Sequence, residues 1–127
     1  MTKGNQNAVK SLQLYGLNYY AMHEYEKGVS YFNKLLNIQP DNGLWYLYRG
    51  IYFFQKNDYN DARSQFKYAL KLDPNLFEVH YYQGKMLVEE NSTAEALNEF
   101  QIYRQQMQDD AKLDEVNTLI KDLESLK

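Results

Sequence analysis

Three glycines recur in the sequence at one constant interval, because Gly50 stands midway between Gly16 and Gly84. An aromatic residue, a small residue and a proline return with the same step. A fixed period of about 34 residues is typical of proteins that stack copies of one supersecondary unit. We therefore expect a repeat protein. The other matching columns are Phe32, Phe66 and Phe100; Gly28, Ala62 and Ala96; Tyr19, Phe53 and Leu87; and Pro40 and Pro74.

Each repeat is predicted to contain two helices. Ala62, Phe66 and Ala69 recur at helical steps, which places them on one face of a helix. A glycine inside a helix costs about 0.5–1 kcal/mol relative to alanine, so its return in every repeat indicates close contact with the paired helix. Prolines end the second helices. The expected helices lie near 9–22, 25–38, 43–56, 59–72, 77–90 and 93–108.

Polar residues mark the expected helix starts. Asp41, Asn42 and Asn75 follow the second helices and offer caps for the next ones. The motif Ser92-x-x-Glu95 is the pattern of a capping box at the start of the sixth helix. Residues 1–8 carry no core-forming pattern, so we expect a frayed end there.

The last residues predict a seventh helix that covers the apolar end of the stack. Its apolar side chains fall on one face, with charged residues opposite. We expect Asp109 and Asp110 to cap this helix. Gln108 replaces the third proline and Tyr103 replaces the small residue seen at Ala69, which we interpret as adaptation to the covering helix. The apolar face consists of Leu113, Val116, Ile120, Leu123 and Leu126.

The pattern resembles the tetratricopeptide repeat, which sets Gly-x2-Tyr in a first helix, Ala-x3-Phe in a second and Pro after it. The segment from Asn57 to Ala62, followed by Lys71-Leu72-Asp73-Pro74-Asn75, is similar to the family consensus almost residue for residue. The resemblance implies an all-α fold, a right-handed superhelical solenoid of three helix pairs with a C-terminal capping helix. The implied units are 9–42, 43–76 and 77–110, with the capping helix at 111–127.

The composition excludes several classes of function. The chain has 14 Lys and Arg against 17 Asp and Glu, a net charge of −3, so it lacks the basic surface that nucleic-acid binding requires. It has no cysteine, which excludes disulfides and thiolate metal sites. Apolar stretches such as 44–48 are far shorter than the roughly 18 residues of a membrane span. We expect a cytoplasmic protein without nucleic-acid binding or membrane insertion.

The sequence offers no catalytic constellation. His23 and His80 lie on different repeats, and neither has a partner at metal-ligand spacing. The carboxylates occupy turn and cap positions, and no glycine-rich phosphate loop is present. We therefore expect a non-enzymatic protein without cofactor or metal.

The family resemblance implies a binding groove, because the first helices of such repeats line the concave side of the superhelix. Carrying the inward-facing positions across gives an apolar and aromatic middle. Exposed apolar strips of this kind usually mark binding sites, although the same side chains could instead pack on one another. The candidate groove residues are Leu14, Leu17, Tyr20, Leu44, Leu47, Tyr48, Ile51, Phe54, Tyr81, Tyr82 and Lys85.

Two subgroups of the family bear on the partner. One binds the C-terminal carboxylate of heat-shock chaperones with two Lys, two Asn and one Arg, but none of these residue types stands at the matching positions here. The other, cytoplasmic chaperones for type III secretion translocators, is similar in three features of the chain. The positions that differ from the first subgroup are Gln13, Leu17, Tyr48, Glu78 and Tyr82. The features shared with the second are Leu14-Tyr15-Gly16-Leu17-x-x-Tyr20, Glu24-Tyr25-Glu26-Lys27 and the tail from Leu113 to Leu126.

The favoured function is an adaptor or chaperone that binds an apolar segment of a partner protein in the groove. Two alternatives stay open: a scaffold that joins copies through the exposed faces of its first and last helices, and a small enzyme. The first of these alternatives also leaves homo-oligomerisation open.

Overall fold

The computed structural model describes residues 2–108 and 110–126, and over these residues it contains helices and turns without a strand. The predicted all-helical repeat fold is confirmed. The chain forms two compact units, with unit 1 ending at Pro74 and unit 2 beginning at Asn75. The helices are α1 (Lys3–Ala21), α2 (Tyr25–Ile38), α3 (Gly43–Gln55), α4 (Tyr59–Leu72), α5 (Glu78–Glu89), α6 (Thr93–Gln106) and α7 (Leu113–Glu124).

The glycines of the repeat pack against the aromatic residues of the repeat. A Cβ atom added at Gly16, Gly50 or Gly84 would lie 2.8, 2.4 or 2.6 Å from the nearest ring carbon of the phenylalanine on the paired helix. These phenylalanines, Phe32, Phe66 and Phe100, are fully buried. The predicted close contact between paired helices is therefore present in every repeat, and glycine is required because the ring occupies the space of a side chain.

The first helix begins earlier than the sequence predicts. The sequence predicts a frayed end through residue 8, whereas α1 starts at Lys3. The hydroxyl of Thr2 accepts a hydrogen bond from the backbone N–H of Asn5 at 3.2 Å, which caps the first turn. At the other end of the chain, α6 stops at Gln106 rather than near residue 108.

The turn inside each helix pair has the same geometry in all three repeats. His23, Asn57 and Asn91 adopt left-handed backbone conformations with φ of 61°, 63° and 59°. The next residue donates its N–H to a carbonyl in the last turn of the helix, as in Glu24 to Tyr19 at 2.8 Å. This is the Schellman ending of a helix, which usually places glycine or asparagine at the left-handed position. The three residues recur at the repeat interval, a column that the sequence analysis did not detect.

The predicted caps are formed in part. The side chain of Asn42 accepts a hydrogen bond from the N–H of Leu44 at 3.0 Å, as expected. The prediction of a capping box at Ser92 is wrong, because the side chain of Ser92 makes no capping hydrogen bond. The backbone N–H of Ser92 instead takes part in the preceding Schellman turn, where it donates a hydrogen bond to the carbonyl of Leu87 at 2.9 Å.

Helix α7 covers the apolar side of the third helix pair within unit 2. Val116, Ile120 and Leu123 are buried and join a core cluster that includes Phe100 and Tyr103. The predicted covering role is thus supported by direct packing. One member of the predicted stripe is an exception, since the side chain of Leu126 is 70% exposed beyond the end of the helix.

The replacement of the small residue by Tyr103 now has a physical explanation. Its ring is fully buried in the unit 2 cluster, and its hydroxyl donates a hydrogen bond to the carboxylate of Asp110. The same carboxylate accepts from the backbone N–H of Lys112 at 2.8 Å, so Asp110 fastens the turn before α7. The prediction that Asp110 caps α7 is wrong, because the N-cap residue is Lys112 and no side-chain capping hydrogen bond is made there. Asp109, the other predicted cap, lies outside the described residues.

Candidate functional site

The candidate groove residues of α3 form one stripe that is buried in the middle and accessible at both ends. Leu44, Leu47, Ile51 and Phe54 follow helical spacing and therefore share a face. Leu47 is fully buried and Ile51 is buried, whereas Leu44 and Phe54 are half-buried. Phe54 also stacks on Tyr59 with ring centroids 5.8 Å apart. A ligand could contact the two ends of this stripe directly.

Tyr20, a candidate groove residue of α1, is a core residue. Its ring fills the space left by Gly28, where an added Cβ would lie 2.4 Å from a ring carbon. Its hydroxyl donates a hydrogen bond of 2.6 Å to the backbone carbonyl of Tyr48 in α3. Tyr20 therefore joins the first two helix pairs of unit 1. Leu17 on the same helix is half-buried and remains a candidate for ligand contact.

Tyr48, a candidate groove residue of α3, packs against the preceding repeat. Its ring stacks on Phe32 of the preceding repeat, with centroids 4.5 Å apart and an interplanar angle of 16°. Leu14 occupies the equivalent position one repeat earlier, but its side chain is 62% exposed. Leu14 thus lies on the face of α1 that is equivalent to the stacking face of α3.

Two predicted groove residues of unit 2 are held by α7. Glu115 accepts a hydrogen bond from the hydroxyl of Tyr81 at 2.6 Å and another from Lys85 Nζ at 2.7 Å. The ammonium groups of Lys85 and Lys112 both lie 5.5 Å from the centre of the Tyr81 ring. Sequence reasoning missed this cluster, because nothing in the spacing shows which residues of α7 reach α5.

This cluster shifts the pKa values of its members. Burial raises the pKa of Tyr81, and the hydrogen bond to Glu115 adds to the effect. Burial alone would raise the pKa of Glu115, but the hydrogen bonds from Lys85 and Tyr81 hold it below its ordinary value. Burial also raises the pKa of Glu78, against the opposing charge of Lys112. The cluster thus keeps Glu115 charged at neutral pH.

Tyr82 is the remaining candidate of unit 2. Its ring is half-buried and meets the Tyr81 ring edge to face, with centroids 5.0 Å apart. It also packs against the core cluster of unit 2. Tyr82 therefore offers a ring edge beside the Tyr81, Lys85 and Glu115 cluster.

The structure corrects the list of exposed groove residues. Four of them are buried and belong to the core: Tyr20, Leu47, Ile51 and Tyr81. The residues that retain accessible surface are Leu14, Leu17, Leu44, Tyr48, Phe54, Tyr82 and Lys85. The packing alternative raised by the sequence therefore accounts for the middle of the α3 stripe and for the two buried tyrosines.

The two histidines make separate contacts, each with a different neighbour. His80 Nδ1 lies 2.5 Å from a carboxylate oxygen of Glu99 on α6, and His23 Nδ1 lies 3.0 Å from the hydroxyl of Tyr25. In the part of the chain that the structure describes, no three His, Asp or Glu side chains are arranged to hold a metal ion. Among the same residues, no helix has the length and apolar character needed to cross a bilayer.

The chain belongs to the tetratricopeptide repeat family. Two sequence profiles of that repeat match residues 9–42 and 43–76, which together make up more than half of the chain. Both matched ranges coincide with units expected from the glycine spacing. The third pair, α5 and α6, carries the same glycine, phenylalanine and left-handed turn at the repeat interval.

Solved structures of tetratricopeptide domains share this fold. The Arabidopsis OM64 domain has a TM-score of 0.79 at 15% identity, covering 97% of this chain and 99% of its own. The TPR2B domain of yeast Sti1 in complex with pHsp70 has a TM-score of 0.77 at 15% identity, covering 94% and 98%. The Yersinia enterocolitica type III secretion chaperone SycD, in complex with a peptide of the translocator YopD, has a TM-score of 0.77 at 15% identity, covering 94% and 95%. No curated protein sequence matches the chain significantly.

Proposed function

We propose that the protein is a non-enzymatic interaction module that binds an apolar segment of a partner protein on the groove face of unit 1, which consists of Leu17 on α1 and of Leu44 and Phe54 on α3. The observation that carries this proposal is the α3 stripe, in which Leu44 and Phe54 remain accessible on either side of the buried Leu47 and Ile51. Leu17 adds a further accessible apolar side chain on α1. Surface of this type is usually covered by a partner in soluble proteins.

The chemistry of the face defines the ligand. Aliphatic side chains at Leu17 and Leu44 favour apolar side chains of the partner, presented by an extended segment or by one face of a helix. Because the contacts in unit 1 are uncharged, the affinity should depend little on salt.

The structural neighbours support this mode of action. The Sti1 and SycD structures are complexes with partner proteins or peptides, so the same fold holds protein ligands in other chains. The carboxylate-binding mode is not part of the proposal. Its expected Lys, Asn and Arg residues are replaced here by Gln13, Leu17, Tyr48, Glu78 and Tyr82.

A more specialised form of the proposal is a cytoplasmic chaperone that keeps the apolar segment of a secreted client covered. The likeness to SycD and the apolar character of Leu17 and Leu44 favour this form. The identity of the client distinguishes it from a general adaptor. A client with a membrane-inserting segment and a secretion signal would support the chaperone, and a soluble cytoplasmic client would support the adaptor.

The proposal is tested by calorimetry with the partner that co-purifies from the native host. Leu44→Ala and Phe54→Ala should each weaken binding by about 1–3 kcal/mol, because few central contacts dominate such interfaces. Tyr68→Ala is the matched control, since Tyr68 is an exposed tyrosine on the second helix α4. Equal affinity in the wild type and both groove variants, or loss of binding in moderate salt, would refute the proposal.

A further inference from the structure

The charge of the chain is divided unequally between its two units. Residues 1–74 contain nine Lys and Arg against six Asp and Glu, a net charge of +3. Residues 75–127 contain five against eleven, a net charge of −6. Two copies of the chain therefore attract each other when unit 1 of one copy faces unit 2 of the other.

The repeat register identifies a stacking face on α1. In α3, Trp45 and Tyr48 contact the Phe32 ring of the preceding repeat with centroids 6.1 and 4.5 Å away, and the Tyr52 hydroxyl donates to Glu26 at 2.8 Å. Moving back by one repeat gives the equivalent face of α1. That face consists of Ser11, Leu14 and Asn18.

This face of α1 is exposed. Ser11, Leu14 and Asn18 are all accessible, and the neighbouring Tyr15 and Met22 are 56% and 58% exposed. We call these five residues the edge face. Two of its three stacking positions are polar where α3 has aromatic rings. Contact through this face is therefore smaller than the internal stacking and depends more on charge.

The surroundings of the edge face are basic. Helix α1 carries lysines but no acidic residue. Tyr15 stacks on Tyr31 with centroids 5.6 Å apart, and Lys34 Nζ lies 5.2 Å from the centre of the Tyr31 ring. Lys10 stands one helical turn before Leu14. Two edge faces would therefore repel each other, whereas an acidic surface would be attracted.

We propose that the edge face of one molecule docks on the outer face of α7 in a second copy of this chain. Helix α7 carries four acidic residues against one lysine, and its exposed outer face presents Asp114 and Asp122 together with Lys121. The exposed Leu126 at its end offers an apolar contact for Leu14 or Met22. Glu115 takes no part, because it is engaged by Tyr81 and Lys85.

The test is sedimentation equilibrium of the full chain at increasing concentration. Association should weaken about tenfold or more between about 0.1 M and about 1 M salt, over which the Debye length falls from about 10 to about 3 Å. Lys10→Glu with Lys34→Glu, the edge reversal, should weaken association at low salt. Asp114→Lys with Asp122→Lys, the α7 reversal, should do the same.

Mixing the two reversed proteins gives the decisive result. Each then carries the charge that complements the other, so the mixture should associate more strongly than either reversed protein alone. Circular dichroism checks that both reversals keep the helical content. A chain that stays monomeric at every concentration, association that strengthens with salt, or a mixture that stays monomeric would each overturn the proposal.

This proposal is independent of ligand binding on the groove face. Leu44→Ala should leave self-association unchanged, because Leu44 lies on the groove face of α3 and not on α1 or α7. Altered self-association in that variant would contradict the assignment to the edge face.

Discussion

Replacing Gly50 with alanine tests the contact on which the repeat depends. An alanine Cβ at this position would lie 2.4 Å from Cε1 and 2.6 Å from Cδ1 of Phe66. Ordinary contacts begin at 3.4 Å, so the ring and the helix must separate by about 1 Å. Phe66 is fully buried, and its displacement disturbs the surrounding core.

Two effects of opposite sign set the magnitude for Gly50→Ala. Alanine stabilises a helix interior by about 0.5–1 kcal/mol relative to glycine. Overpacking a well-filled core by a methyl group costs about 1–3 kcal/mol. We expect overpacking to exceed the gain in helix propensity, which gives a net loss of about 1 kcal/mol, and at most about 2.5 kcal/mol, in the free energy of unfolding.

Urea denaturation followed by circular dichroism measures the change, with two controls. Gly4→Ala in α1 should keep or raise stability, because its Cβ would meet only the Thr2 hydroxyl at 4.0 Å. In a Phe66→Leu background, which lacks the obstructing ring, the loss caused by Gly50→Ala should shrink or change sign. If Gly50→Ala is as stable as Gly4→Ala in the wild-type background, the explanation of the repeat glycines is wrong.

Three further predictions concern the turns and unit 2. His23→Asn should raise stability by a few tenths of a kcal/mol, because asparagine tolerates the left-handed conformation better; a lower urea midpoint would contradict this. Ile120→Ala should cost about 2–5 kcal/mol and Leu126→Ala less than about 0.5 kcal/mol, since only Ile120 is buried; equal losses would contradict the covering role of α7. Hydrogen bonds hold the pKa values of Asp110 and Glu115 below their ordinary 3.8 and 4.5 despite burial, so stability should be full above pH 4.5 and fall as acid protonates both groups; Asp110→Asn should flatten that fall.

The local sequence pattern predicted most of the fold. The spacing of glycine, phenylalanine and proline predicted six helices within a few residues, because each repeat is fixed by contacts between residues close in sequence. The start of α1 was missed because the Thr2 cap precedes any apolar pattern. The left-handed column was missed because histidine at position 23 conceals a position that asparagine marks in the other two repeats.

The candidate site was predicted less completely than the fold. The groove positions predicted on α3 share one helical face, but sequence spacing cannot show which of them the remaining chain covers. Leu47 and Leu44 are both apolar and share that face, yet only Leu44 keeps accessible surface. Lys85 was predicted as a groove residue, and its ammonium group donates a hydrogen bond to Glu115 of α7, a contact that the sequence does not reveal.

Site-specific photo-crosslinking in the native host tests the groove face most directly. A photoreactive phenylalanine analogue would replace Leu17 or Leu44 on the first helices, or the exposed Lys67 on α4 as a control. Both groove positions should crosslink to the same partner, through an apolar segment of it, and position 67 should not. Crosslinks from position 67 with none from positions 17 and 44 would contradict the account.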